Sequence, residues 1–225
     1  MLRPGKDKGL ATPIPLGLAA LATTTFLIGV AILLQTPAHW GPYLIQALLF
    51  GGLVELLAGM WAFAYGDALA ATTFSFLGAF FAWWGLTQMT LLGVHAAVAA
   101  TVASMATIFV VTAVVVLYLW IASFYESAAF NLVLLFLWIA LGLVGIGMFS
   151  GIASLTMLGG ISALISGVVG GYASFAEAYN ATGLLEVISV GEPRSMRERS
   201  RLDEAERISR LHPANGMHHS SQLHG

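Results

Sequence analysis

A chain of 225 residues in which 58% of the side chains are hydrophobic, 9% are charged and the mean hydropathy is +0.86 lies far from soluble domains, where about a quarter of residues are charged. That balance excludes a soluble enzyme and indicates an integral membrane protein. The net charge of −2 hides a segregation, because all nine Lys and Arg lie in two tails: Arg3, Lys6 and Lys8 in front, and six Arg from Arg194 to Arg210 behind. Both tails are therefore expected in the cytoplasm, and the number of spans should be even.

Apolar stretches of about 20 residues, the length that crosses roughly 30 Å of hydrocarbon, fall at 14–34, 43–65, 69–92, 97–122, 130–149 and 155–178. Six is even, in agreement with the charges. The first stretch follows TPIPLGL, residues 12 to 18. Proline holds φ near helical values and has no N–H, so Pro13 and Pro15 suit the mouth of a helix and stiffen the chain before it. The expected result is a short vestibule at Thr12, Pro13, Pro15 and Gly17, with helix-start amides facing the entrance and room for an anion to rest without an Arg. Thr12 either donates its hydroxyl there or caps the helix. Further in, Thr23, Thr24 and Thr25 carry hydroxyls beside Leu21. Most membrane threonines bond back to their own helix, so one of the three, Thr24, is the candidate for contact with a solute. The run is longer than the apolar core of a signal peptide and five more spans follow, which favours an uncleaved helix.

Between residues 11 and 190 the charged side chains are Glu55, Asp67, Glu126, Glu177 and Glu186. Glu55 falls mid-span, where an ionised carboxylate costs at least about 2.5 to 3.5 kcal/mol, so it must face protein or water. Gly51, Glu55, Ala58, Gly59 and Ala62 share one helical face, and small side chains there allow close packing. Two readings stand: Glu55 relays protons or contacts solute, or it is a protonated carboxyl bonded to a neighbouring helix. Glu177 repeats the pattern in the sixth span beside Gly170, Ala173 and Ser174, nearer water. FGGLVELLAG (50–59) and LGGISALISG (158–167) share three glycines at matching positions, which points to a common packing role and does not establish duplication.

The loops are short and turn-like: QTPAHWGP, YGDA, LGVHA, SFYESA and SGIAS. No phosphate-binding glycine loop and no zinc-spaced HExxH occurs. No enzyme, cofactor or metal is therefore expected; His39 and His95 read as solvated turn residues, and the His-containing tail as a solvated end. The absence of Cys excludes disulfides and leaves the compartment open. From residue 191 the composition turns polar. Residues 195–211 read either as a surface helix at the membrane or as a solvated topology anchor, and their interspersed acids argue against nucleic acid.

TPIPLGL, FGGLVELLAGMWAFAYGDALAATTFSFLGAF (50–80) and GGYASFAEAYN (170–180) resemble, in order, the acetate uptake transporters, also called the succinate-acetate permease family. That family typically has Asn where this chain has Thr12, and Gln where it has Glu55. The resemblance implies an all-α protomer of six transmembrane helices in the cell membrane, assembled as a homo-hexamer, with small carboxylates and protons as partners. It implies acetate and possible succinate passage by proton symport or as a channel. It also implies a mid-membrane constriction that falls at Leu21, Leu77 and, more loosely, Leu137; the first two replace family aromatics. The expected organisation is a cytoplasmic tail at 1–11, a six-helix domain at 12–190 and a polar cytoplasmic tail at 191–225. The alternative is a passive pore for neutral solutes such as urea, ammonia or water.

Overall fold

The computed structural model of the chain describes residues 10–34, 41–91, 102–182 and 188–191. No strand occurs among them, and six helical spans are long and apolar enough to cross a membrane. The readings made for His39, His95, Glu186 and the tail beyond residue 191 lie outside the described residues.

The first span is α1 (Ile14–Leu34). The second is compound: α2 (Gly41–Gln46), eight residues of π-helix (Ala47–Val54), then α3 (Glu55–Tyr65). The remaining four are α4 (Ala68–Leu91), α5 (Val102–Ala122), α6 (Ala128–Ser150) and α7 (Ala153–Thr182). Local chemistry sets their ends. Gly66 turns at φ 92° and sends its N–H back to the carbonyls of Ala62 and Phe63, closing α3. The next residue, Asp67, accepts the Ala70 N–H on Oδ1 at 2.9 Å and so caps α4. Ser127 does the same for α6 through the Phe130 N–H, and Gly151 ends that helix at φ 69°. One dipeptide thus stops one span and starts the next.

The spans pack as a closed ring. α5 lies beside α6, α6 beside α7, α7 beside α1, α1 beside the second span, and the second span beside α4. Phe80 of α4 meets Phe109 of α5 edge to face at 5.3 Å, which closes the circle. Outward side chains such as Leu53, Leu57, Val111 and Phe149 are apolar and exposed, as a lipid-facing surface requires. The start of α1, the start of α6 and the ends of α3 and α7 share one end of the ring: Trp61 Nε1 donates to the Ala11 carbonyl, and Ser174 Oγ donates to the Pro15 carbonyl. At that end residues 188–191 fold back as a strap. Ala128 and Ala129 donate to the Gly191 and Val190 carbonyls, and Asn180 exchanges two hydrogen bonds with Ile188.

Glycine contact sets the helix spacing. A Cβ at Gly29 would lie 2.7 Å from the Gly160 carbonyl oxygen, and one at Gly167 would lie 2.7 Å from Phe26 Cβ. On the other side of α1, a Cβ at Gly51 would lie 2.6 Å from Thr24 Cγ2. The two glycine-matched segments therefore do share a packing role, since each packs against α1, one from either side. Backbone cannot yield as a side-chain tip can, so Gly29→Ala should cost about 1–3 kcal/mol. It is expected to lower the thermal midpoint of the purified protein in detergent, whereas Gly171→Ala, where an added Cβ meets nothing, leaves it in place.

Candidate functional site

The ring encloses a lumen walled by α1, α4 and α6, and its side chains fall in layers. Antiparallel register supplies the depths. Gly51 sits against Thr24 and Phe81, and Gly59 against Ser75, while the Leu56 amide lies 2.8 Å from a Cβ placed on Gly78. Glu55, between Gly51 and Gly59, is therefore level with Leu21 on α1 and Leu77 on α4. All three are fully buried, at 0% exposure. Leu137 lies deeper toward the other end. Phe74 and Phe130 meet across the lumen at 6.3 Å, so Leu137, seven residues beyond Phe130, is level with Phe81, one turn or about 6 Å past Leu77. The α6 residues level with Leu21 and Leu77 are Val133 and Leu134, both at 0% exposure.

Beyond this layer the lumen opens into an apolar cavity of about 30 Å³ bordered by Thr25, Ile28, Phe81, Phe109, Leu137 and Leu141, room for more than one water molecule. On the opposite side the lumen is shut again. The Phe74 ring covers Gly17, which an added Cβ would drive into the ring, and stands edge-on to Phe130. Sequence reasoning missed this aromatic closure; its one trace is Gly17, the socket whose missing side chain admits the ring. Two aromatics, Phe74 and Phe130, thus lie one turn from the layer of Leu21 and Leu77.

The vestibule residues gather near that closure. Thr12 Oγ1 accepts the Ile14 N–H at 3.4 Å, a capping contact. Pro15 brings no amide, and the Gly17 N–H already bonds the Pro13 carbonyl at 3.0 Å, so the helix start presents fewer free donors than expected there. Glu177 is buried on α7 one turn past Ser174, whose hydroxyl bonds the Pro15 carbonyl at 2.7 Å. Thr12, Pro13, Pro15, Gly17 and Glu177 thus share one end of the ring, while Glu55, Leu21 and Leu77 share the middle.

Of the three threonines, Thr23 donates to Ala19 and Thr25 to Leu21, each at the i−4 carbonyl. Thr24 instead accepts Gln46 Nε2 at 3.1 Å from the second span. Glu55 follows the π-helix directly: its amide donates to the Phe50 carbonyl five residues back. Such stretches normally last one turn and concentrate at functional sites. Neither carboxyl oxygen of Glu55 has a hydrogen-bond partner, so the expected alternative of a bond to a neighbouring helix is not what the packing provides. The predicted face of Gly51, Glu55, Ala58, Gly59 and Ala62 is buried as a unit.

A ring of six apolar spans with a small internal cavity defines a polytopic membrane protein. A family profile described as "GPR1/FUN34/yaaH family" matches residues 1–190, and the chain belongs to that family. It is a multi-pass protein of the cell membrane. Over 72 residues it is 46% identical to acetate permease A of Emericella nidulans, covering 31% of this chain and 24% of that one. Over 78 residues it is 37% identical to ammonia transport outward protein 3 of Saccharomyces cerevisiae, 33% of this chain and 28% of that one. The matched segments thus span about a quarter of the length of these curated relatives. Among solved structures, that of the bacterial acetate channel SatP superposes with a TM-score of 0.75 at 23% identity, over 81% of this chain and 99% of that one, a likeness of fold.

Removing the Phe74 ring tests the closure. Phe74→Ala should cost about 3–5 kcal/mol of stability and raise solute permeation in reconstituted vesicles, read together as a lowered thermal midpoint and a faster flux per folded protein.

Proposed function

We propose that the protein moves small carboxylates, acetate the simplest, across the cell membrane through the lumen of the ring, with a proton carried by Glu55. The observation that supports this most directly is Glu55 itself: a fully buried carboxyl with no partner on either oxygen, level with the narrow layer of Leu21 and Leu77. Between Lys8 and Arg194 the chain has no Lys or Arg, so nothing cationic offsets an anion there, in contrast to pores that use rings of basic side chains. A carboxylate crosses this layer as its neutral acid or beside a proton held by Glu55. In this reading Leu21, Leu77 and Leu137 line the path in two successive layers. The vestibule at Thr12 to Gly17 lies on the cytoplasmic side, as the basic tails direct, and each protomer of a homo-hexamer has its own path.

A second reading, a passive pore for a neutral solute such as ammonia, is favoured by the apolar cavity and by the relative named for ammonia export. Labelled acetate uptake into proteoliposomes separates the two. Saturable uptake that rises as external pH is lowered from about 7 to about 5, and that loses its protein-dependent pH sensitivity in Glu55→Gln, is the expected outcome; lowering pH populates both the neutral acid and the protonated carboxyl. Absence of protein-dependent acetate flux alongside non-saturable ammonia permeation would overturn it.

A further inference from the structure

The two glycines one turn either side of Glu55 each receive a hydroxyl from a neighbouring helix. A Cβ on Gly51 would lie 2.9 Å from Thr24 Oγ1, and Ser75 Oγ sits directly over Gly59. Thr24 is 0% exposed and, unlike Thr23 and Thr25, makes no bond back to α1, so its own hydrogen remains available while it accepts from Gln46. Gln46 Oε1 and Gln88 Oε1, both toward the end of the ring away from Gly66, are buried without a partner, as are Ser75 Oγ and Thr73 Oγ1 on the other side of Glu55. Six of the eight buried side-chain atoms left unpartnered among the described residues belong to the second span and α4. Buried polar atoms unsatisfied by protein are where ordered water binds. None of these four residues borders the apolar cavity, which Thr25, next to Thr24 but turned by one helical position, does border.

We propose that this file of polar groups along the second span is a proton route to Glu55, separate from the lumen, with Thr24 as the relaying hydroxyl and Gln46 as its positioning residue. The proposal rests on the carboxylate-transport reading for its purpose. Glu55 lies four positions after Gly51, about one turn along the second span, a gap that one water bridges. In each step an O–H bond forms as another breaks: water behind Thr24 gives a proton to its oxygen, the hydroxyl passes its own proton to the bridging water, and that water protonates the Glu55 carboxylate. The negative charge thus moves out toward the membrane face as the proton moves in. Nothing titratable competes on the packed helices. α1 and α4 carry no ionisable side chain, and on the second span the others are Tyr43 and Tyr65, near its two ends.

The test is hydrogen–deuterium exchange of the Glu55 carboxyl proton, followed by the infrared carbonyl band of the whole purified protein and assigned by its loss in Glu55→Gln. Thr24→Val should slow exchange by about tenfold or more, the scale on which a positioned transfer group acts. Thr24→Ser should restore it, and Gln46→Leu should slow it partially. Wild-type exchange in a Thr24→Val protein with the wild-type circular dichroism would overturn the proposal. So would equal slowing by Thr25→Val, which would place the route in the cavity, or the absence of any band lost in Glu55→Gln. Thr24-dependent exchange in a protein that shows no acetate flux would sink the carboxylate reading and leave the route standing.

Discussion

Contact between the backbone of α1 and the two spans beside it governs the whole ring. In hydrocarbon there is little gain from burying one apolar helix against another, because lipid offers the same surroundings, so close approach and the dispersion it brings do the work. Gly29 against Gly160, Gly167 against Phe26 and Gly51 against Thr24 bring three spans near enough for side chains on one to reach the backbone of the next. Ser174 on the Pro15 carbonyl is the polar counterpart of that proximity, and Ser162 and Ser166 on the carbonyls of Phe136 and Val133 repeat it between α7 and α6. With the glycines replaced by larger residues, α1 would stand off and the lumen would lose its walls.

The same closeness sorts the interior into two environments. On the α6 side of α1 the lumen is apolar from Ile28 to Phe74, interrupted by the Leu and Phe layers. On the other side, where the second span presses in, buried oxygens are strung along the seam on either side of a single carboxyl. In the transport proposed above, a low-dielectric lumen beside a polar seam would let the body of a solute and its proton meet at one depth without sharing an entrance. Selectivity in that proposal would come from layer width and from the protonation state of Glu55, with no fixed positive charge required.

Much of this was legible in the residues. The six spans, the buried face around Glu55 and the packing role of the paired glycines follow from hydropathy and from spacings of three and four. Asp67 and Gly66 announced their turn. Other features had no local mark. The π-helix before Glu55 arises from how Ala47–Val54 fits between α1 and α4, and a glycine pair alone does not announce it. Which threonine of three would be free depended on Gln46, 22 residues away. Leu137 was placed by loose alignment, and only the Phe74–Phe130 contact shows it to be a turn beyond Leu21 and Leu77. The prolines flank the start of α1 at Ile14, but the count of free amides there required knowing where their hydrogens go.

The π-helix of the second span also has a bearing on how this chain can vary. Its turns hold more residues than α-helical ones, so the stretch amounts to an accommodated insertion. Loss of one residue ahead of Glu55 would let the span close as continuous α-helix, and each residue of register turns a side chain by about 100°. The carboxyl would then leave the seam between α1 and α4 while the second span remained long enough to cross the membrane. A one-residue change in length could therefore move this mid-membrane acid into or out of the seam without any substitution at position 55.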